Sequence, residues 1–102
     1  MADYIIAYIG GRQPATPEEG KAQKEKWDAW ITNLGDAIVN PGTPLAMSKT
    51  IGPDGVADAD PDRKLTGFSI VRADSLDDAI AIAKECPFLE MGTLEVAQVM
   101  QM

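Results

Sequence analysis

The chain has 102 residues, a formal net charge of −7, one cysteine and no histidine. That length makes a single domain over residues 1–102, large enough to bury a core without staples. The acidic balance argues against nucleic acid and anionic membrane surfaces as partners, both of which need clustered Lys and Arg.

The lone Cys86 rules out an internal disulfide and fits a reducing, cytoplasmic setting. The start of the chain, Met-Ala-Asp-Tyr-Ile-Ile-Ala-Tyr, has neither the basic n-region nor the long apolar h-region of a signal peptide. No apolar run approaches the length of a membrane span.

Residues 3–9 are β-branched and aromatic and read as a strand. Tyr4, Ile6 and Tyr8 share one face; Ile5, Ala7 and Ile9 share the other. Both faces are apolar, so this strand is expected to be covered on both sides. Gly10-Gly11 ends it. A helix over 17–34 follows, with Thr16 as N-cap, Pro17 at its first position, Glu19 completing a capping box and Gly35 as the stop. Trp27, Trp30, Ile31 and Leu34 make its apolar stripe.

Asp36 to Asn40 is a short strand closed by Pro41-Gly42, and Leu45 to Ile51 the next. Gly52-Pro53-Asp54-Gly55 is a turn signal, and 54–64 reads as an acidic exposed loop with a short edge strand near Val56. A second strand-helix-strand unit runs from Leu65 to Met100. Ser75 caps its helix, Pro87 ends it by driving Cys86 out of helical conformation, and Thr93 to Met100 is the last strand.

The order β-α-β-β-(β)-β-α-β predicts an α+β, ferredoxin-like fold: an antiparallel sheet with two helices on one face. The other face would carry Tyr4, Ile6, Tyr8, Phe68 and Ile70, or their neighbours. A large uncovered apolar face marks an interface. The expectation is therefore a homodimer whose sheets pack face to face, a dimeric α/β barrel.

These residues resemble the YCII-related (YciI-like, DGPF-type) family. The resemblance is carried by Gly67-Phe68-Ser69-Ile70, by Ala73-Asp74-Ser75-Leu76-Asp77-Asp78-Ala79, by Ala83-Lys84-Glu85-Cys86-Pro87 and by Gly92-Thr93-Leu94-Glu95-Val96. It implies the same dimeric barrel. It also implies that some relatives use a His–Asp pair, which a chain without histidine cannot supply, and the Asp-Gly-Pro-Phe element of the other subgroup is absent as well.

Acid–base chemistry would then fall to a carboxylate, with Asp28, Asp36 and Glu95 as the candidates. Glu95 alternates with apolar residues, so it reads equally as a solvent-facing residue or a structural partner of Arg72 or Lys49. Arg72 would hold an anionic ligand if its face lines a cleft, with Tyr4 and Tyr8 supplying hydroxyls; otherwise it pairs with Asp74 or Asp77 at the surface. Trp27 and Trp30 would form an aromatic wall or, at helical spacing, simply core.

Other patterns fail. Counted from Asp58, an EF-hand would need Gly and Glu where Arg63 and Ser69 stand. Gly10-Gly11-Arg12 lacks the spacing of either phosphate-binding fingerprint. Cys86, with only Lys84 as a basic neighbour, reads as a packing thiol, and the usual zinc sites are excluded. No cofactor or metal is expected.

Two function classes remain. One is a small-molecule-binding homodimer with a site lined by Tyr8, Trp30, Ser48, Phe68, Arg72 and Glu95, with lyase-like acid–base activity through a carboxylate as its catalytic extension. The other is a non-catalytic interaction or regulatory module that kept the fold and lost the catalytic residues.

Overall fold

The computed structural model describes residues 1–12 and 14–100. In chain order come β1 (Ala2–Ile9), α1 (Pro17–Leu34), a 3-10 turn (Gly35–Ala37), β2 (Ile38–Asn40), β3 (Lys49–Gly52) and β4 (Gly55–Asp58). Then follow β5 (Leu65–Ala73), α2 (Leu76–Lys84), a 3-10 turn (Pro87–Glu90) and β6 (Thr93–Gln98). Four strands form an antiparallel sheet in the order β2-β5-β1-β6. β1 and β5 occupy the centre, and each α-helix connects two strands that flank a third. This is the ferredoxin-like arrangement of the predicted α+β class.

Local chemistry sets the boundaries. The Thr16 hydroxyl accepts from the Glu19 amide at 3.1 Å, and Pro17 occupies the first helical position. The return half of the capping box shifts by one residue: the Glu19 carboxylate takes the Ala15 amide, not that of Thr16. At the other end Gly35, with φ 53°, returns its N–H to the Ile31 carbonyl. Ser75 caps α2 by accepting from the Asp78 amide at 3.1 Å. Cys86 is extended (φ −70°, ψ 127°), as a residue before proline must be.

The register assigns the two faces. Tyr4 pairs with Val71, Ile6 with Ser69 and Tyr8 with Gly67. All six are buried under the helices, with Ala73, Ala79, Ala83, Trp30 and Cys86 completing the core. The face away from the helices takes Ile5 opposite Ile70 and Ala7 opposite Phe68, with Ile9 beyond. Phe68 and Ile70 therefore do lie on the open face, but Tyr4, Ile6 and Tyr8 do not; their neighbours Ile5, Ala7 and Ile9 do. Both faces of β1 are apolar, so alternation carried no sign of which one meets the helices. Side-chain size at β5 decides it. Gly67 leaves room for the Tyr8 ring, where even a Cβ would sit 2.8 Å from Tyr8 Cδ2.

Other strands differ in extent. β2 begins at Ile38, because Asp36 sits in the 3-10 turn and is exposed. The expected strand from Leu45 is regular only from Lys49. Residues 41–45 instead run irregularly beside β5: Pro44 bridges Gly67, and the Leu45 amide donates to the Thr66 carbonyl at 3.0 Å. Gly42 permits that approach. It has φ 79°, and a side chain there would collide with the Phe68 carbonyl. The strand near Val56 exists but pairs with β3 as a separate hairpin instead of edging the sheet. β6 ends at Gln98, two residues early, although the Val99 amide still reaches the Asp3 carbonyl at 2.8 Å.

The β3–β4 hairpin carries exposed Ile51 and Val56. With it, the radius of gyration is 14.6 Å, against about 13 Å for an ordinary domain of 100 residues. Among the described residues, no helix is long and apolar enough to cross a membrane.

Candidate functional site

Tyr8 lies near the end of β1, just before a register shift in its pairing with β5. Its ring fills the space over Gly67. Phe88, brought in by the 3-10 turn that Pro87 initiates, stacks on it with centroids 5.0 Å apart and planes 18° from parallel. From above, α1 lowers Trp27, whose Nε1 donates to the Tyr8 hydroxyl at 3.4 Å. The hydroxyl lies 2.5 Å from Oγ of Ser69, a fully buried residue, and Ser69 Oγ lies 2.7 Å from the Pro41 carbonyl.

The direction of these bonds follows from proton counting. A carbonyl can only accept, so Ser69 spends its one hydrogen on Pro41. Tyr8 must then donate to Ser69, and Trp27 donates to Tyr8. The result is a one-way thread from indole to phenol to hydroxyl to carbonyl. It satisfies each buried donor and ties α1, β1, β5 and the segment after β2 together at one point.

Burial pushes the Tyr8 phenol above its ordinary pKa, against the opposing effect of its bonds to Ser69 and Trp27. Burial likewise raises the Cys86 thiol, which lies beside Tyr8. Both groups are neutral near pH 7.

Against this thread lies a cavity of about 460 Å³, lined by Tyr8, Trp27, Phe88, Met91, Pro41, Thr43, Pro44, Thr66 and Phe68. Its charged lining is Lys24 and Asp28, one turn apart on α1 and paired at 3.0 Å. The walls are aromatic and aliphatic, the rim is ionic, and among the described residues Asp28 is the only carboxylate lining the cavity. The volume is that of a small-molecule site.

Of the residues singled out from sequence, Tyr8, Trp27, Asp28 and Phe68 line this cavity, whereas Trp30, Ser48, Arg72 and Glu95 lie elsewhere. Trp30 is buried between the helices, with its Nε1 on the Ile82 carbonyl at 3.2 Å. Ser48 precedes β3; its hydroxyl is shielded from solvent and has no hydrogen-bond partner among the described residues. Arg72 is half-exposed at the end of the open face, where its Nε donates to Asp3 at 3.1 Å, not to Asp74 or Asp77. Glu95 is exposed on that same face opposite Ala7.

Sequence reasoning passed over Phe88, Met91, Thr66 and Ser69. Phe88 had one usable signal, its place directly after the proline that ends α2. Trp27 was grouped with Trp30. The 3.6-residue period puts both on one stripe and cannot tell which meets the end of β1.

A family model for the YCII-related domain matches residues 12–102. No curated protein matches the chain. Among solved structures, it is similar to 5-chloro-2-hydroxyhydroquinone dehydrochlorinase from Burkholderia phenoliruptrix AC1100, in complex with 2,5-dihydroxybenzoquinone. The TM-score is 0.60 at 17% sequence identity, over 96% of this chain and 93% of that one. A likeness at that identity speaks to the fold. With the family match spanning nearly all of its length, the chain belongs to the YCII-related domain family.

Proposed function

We propose that this protein is a single-domain, cytoplasmic homodimer that binds a small ring-shaped molecule in the cavity among Tyr8, Trp27 and Phe88. The observation that carries the reading is the cavity itself: about 460 Å³ of mostly apolar space, lined by four aromatic residues and rimmed by the Lys24–Asp28 pair. Flat aromatic walls favour a flat ligand, and the few polar groups fix its orientation. That a protein of the same fold was solved with 2,5-dihydroxybenzoquinone supports a ring bearing oxygens as the ligand class.

Binding without catalysis is favoured by the proton thread. The hydrogen of Tyr8 is committed to Ser69, and that of Ser69 to Pro41, so neither is poised to protonate a substrate. If the activity extends to lyase-like chemistry, Asp28 is the carboxylate placed to take a proton, once Lys24 releases it.

The dimer reading rests on the open face. Ile5, Ala7, Ile9, Phe68 and Ile70 form a half-buried apolar surface that no helix among the described residues covers. A second copy packing sheet to sheet would remove it from water.

Thermal denaturation with hydroquinone and 2,5-dihydroxybenzoquinone tests the cavity reading. The expected result is a rise in Tm that the Trp27→Ala variant loses; no shift with either compound overturns it. Light scattering at micromolar concentration tests the dimer, and a monomeric mass overturns it.

A further inference from the structure

The cavity does not end at Phe88. A second hollow of about 290 Å³ shares Pro44, Thr66, Phe88 and Met91 with it, so the two adjoin across these residues. The second hollow adds two charged residues, Arg12 and Lys64, and among the described residues no carboxylate residue lines it. In a chain with a net charge of −7, an ionic lining of one positive sign is the opposite of what the overall composition supplies.

Both cations are held at their backbones. Lys64 donates its amide to the Asp60 carbonyl and accepts from the Gly10 amide, each at 2.8 Å. The Arg12 amide donates to the Met91 carbonyl at 3.1 Å. The Arg12 guanidinium spends one nitrogen on Glu19 at 2.7 Å, which leaves its other N–H groups. Lys64, half-buried, has no ion-pair partner among the described residues.

We propose that the ligand is a ring acid: its ring lies against Phe88 and Met91, and a carboxylate or other anionic substituent on the ring meets Lys64, with Arg12 in support. This rests on the cavity reading above and adds the charge of the ligand. The apolar stretch fixes the distance between the two recognition elements. An ammonium with no competing carboxylate in the lining is a ready point charge for an anion.

The test compares two probes that differ by one group, hydroquinone and 2,5-dihydroxybenzoate, titrated by calorimetry against the full chain. The acid is expected to bind about tenfold more tightly, the worth of one charge-assisted hydrogen bond at a half-buried site. Lys64→Gln should bring the acid down to the affinity of hydroquinone and leave hydroquinone unchanged; Arg12→Gln should cost the acid less. The backbone bonds of Lys64 do not depend on its side chain, so the variant is expected to keep its fold, and an unchanged melting curve checks this. Equal affinity of the two probes, or a preference for the acid that survives Lys64→Gln, overturns the proposal and leaves the cavity reading standing. Failure of both probes to bind overturns the cavity reading, and this proposal with it.

Discussion

Ile5 and Ile6 are consecutive residues of one strand, chemically identical, and they meet different surroundings. Ile6 is fully buried beneath the helices, opposite the equally buried Ser69. Ile5, opposite Ile70, stays half-buried on a face that no helix among the described residues covers. The helix face is closed, its polar groups threaded from Trp27 through Tyr8 and Ser69 to Pro41. The open face has apolar residues at its centre and ionic ones at its margin, Arg72 with Asp3 among them. One face is finished within the chain. The other gains its full stabilisation only if a second copy covers it.

The largest effect that would break this contrast is truncation on each face. Ile6→Ala is expected to cost about 2–5 kcal/mol in urea denaturation, because it removes fully buried volume, and the cost should not depend on protein concentration. If the proposed homodimer forms through the open face, Ile5→Ala is expected to cost less in dilute solution and progressively more as concentration rises. Equal, concentration-independent costs would remove the distinction between the faces.

Next in size is the polar thread. Ser69→Ala strands the Tyr8 hydrogen and the Pro41 carbonyl in a buried setting, with an expected cost of about 1–3 kcal/mol. Tyr8→Phe removes a different member of the same network. The double variant should cost less than the two singles added together, as coupled sites do. Full additivity in a double-mutant cycle would mean that the thread does not act as a unit.

The pH dependence is smaller and has a definite sign. Burial raises the pKa of Tyr8 and Cys86 in the folded state. Above the unfolded-state pKa values the folded chain therefore holds more protons than the unfolded one, and stability falls as pH rises. The contribution is complete near pH 7. It declines from about pH 8.5 for the thiol and from about pH 10 for the phenol. Melting curves between pH 7 and 11 should show Tyr8→Phe losing less than wild type at the upper end. An identical decline would exclude Tyr8 as its source.

The smallest effect is expected at the rim of the open face. Arg72→Ala breaks a pair with Asp3 whose two side chains are 49% and 35% exposed, and solvent screening limits the loss to under about 1 kcal/mol. A larger loss would mean that this end of the face is covered in the assembled protein.

The scaffold was readable because each boundary has a local chemical cause. Thr16-Pro17 starts one helix, Ser75 starts the other, Gly35 and Pro87 stop them, and Gly52 to Gly55 turns a hairpin. The face assignment was not readable in β1, where every position from Tyr4 to Ile9 is apolar or aromatic. It lay instead in the small residues of β5, Gly67 and Ser69, which matter only once the register pairs them with Tyr8 and Ile6. The site was less legible still. Trp27 and Trp30 share one stripe, yet one bonds to Tyr8 and the other to Ile82. Phe88 and Met91 belong to a turn whose position depends on how α2 ends, and no periodicity reaches them. Ser69 looked like an ordinary strand residue; its role exists only through partners 61 residues before it, at Tyr8, and 28 before it, at Pro41.

The two tryptophans also offer the most direct test of the central claim. Each indole N–H gives its own signal in a 15N-correlated NMR spectrum, and Trp27→Phe assigns them by deleting one. On titration with hydroquinone, the ligand should move the Trp27 indole signal, which sits at the wall of the cavity beside Tyr8, and leave the Trp30 signal, locked between the helices on Ile82, in place. A Trp27 signal that stays put, or a Trp30 signal that moves in its stead, would contradict a binding site at Tyr8, Trp27 and Phe88.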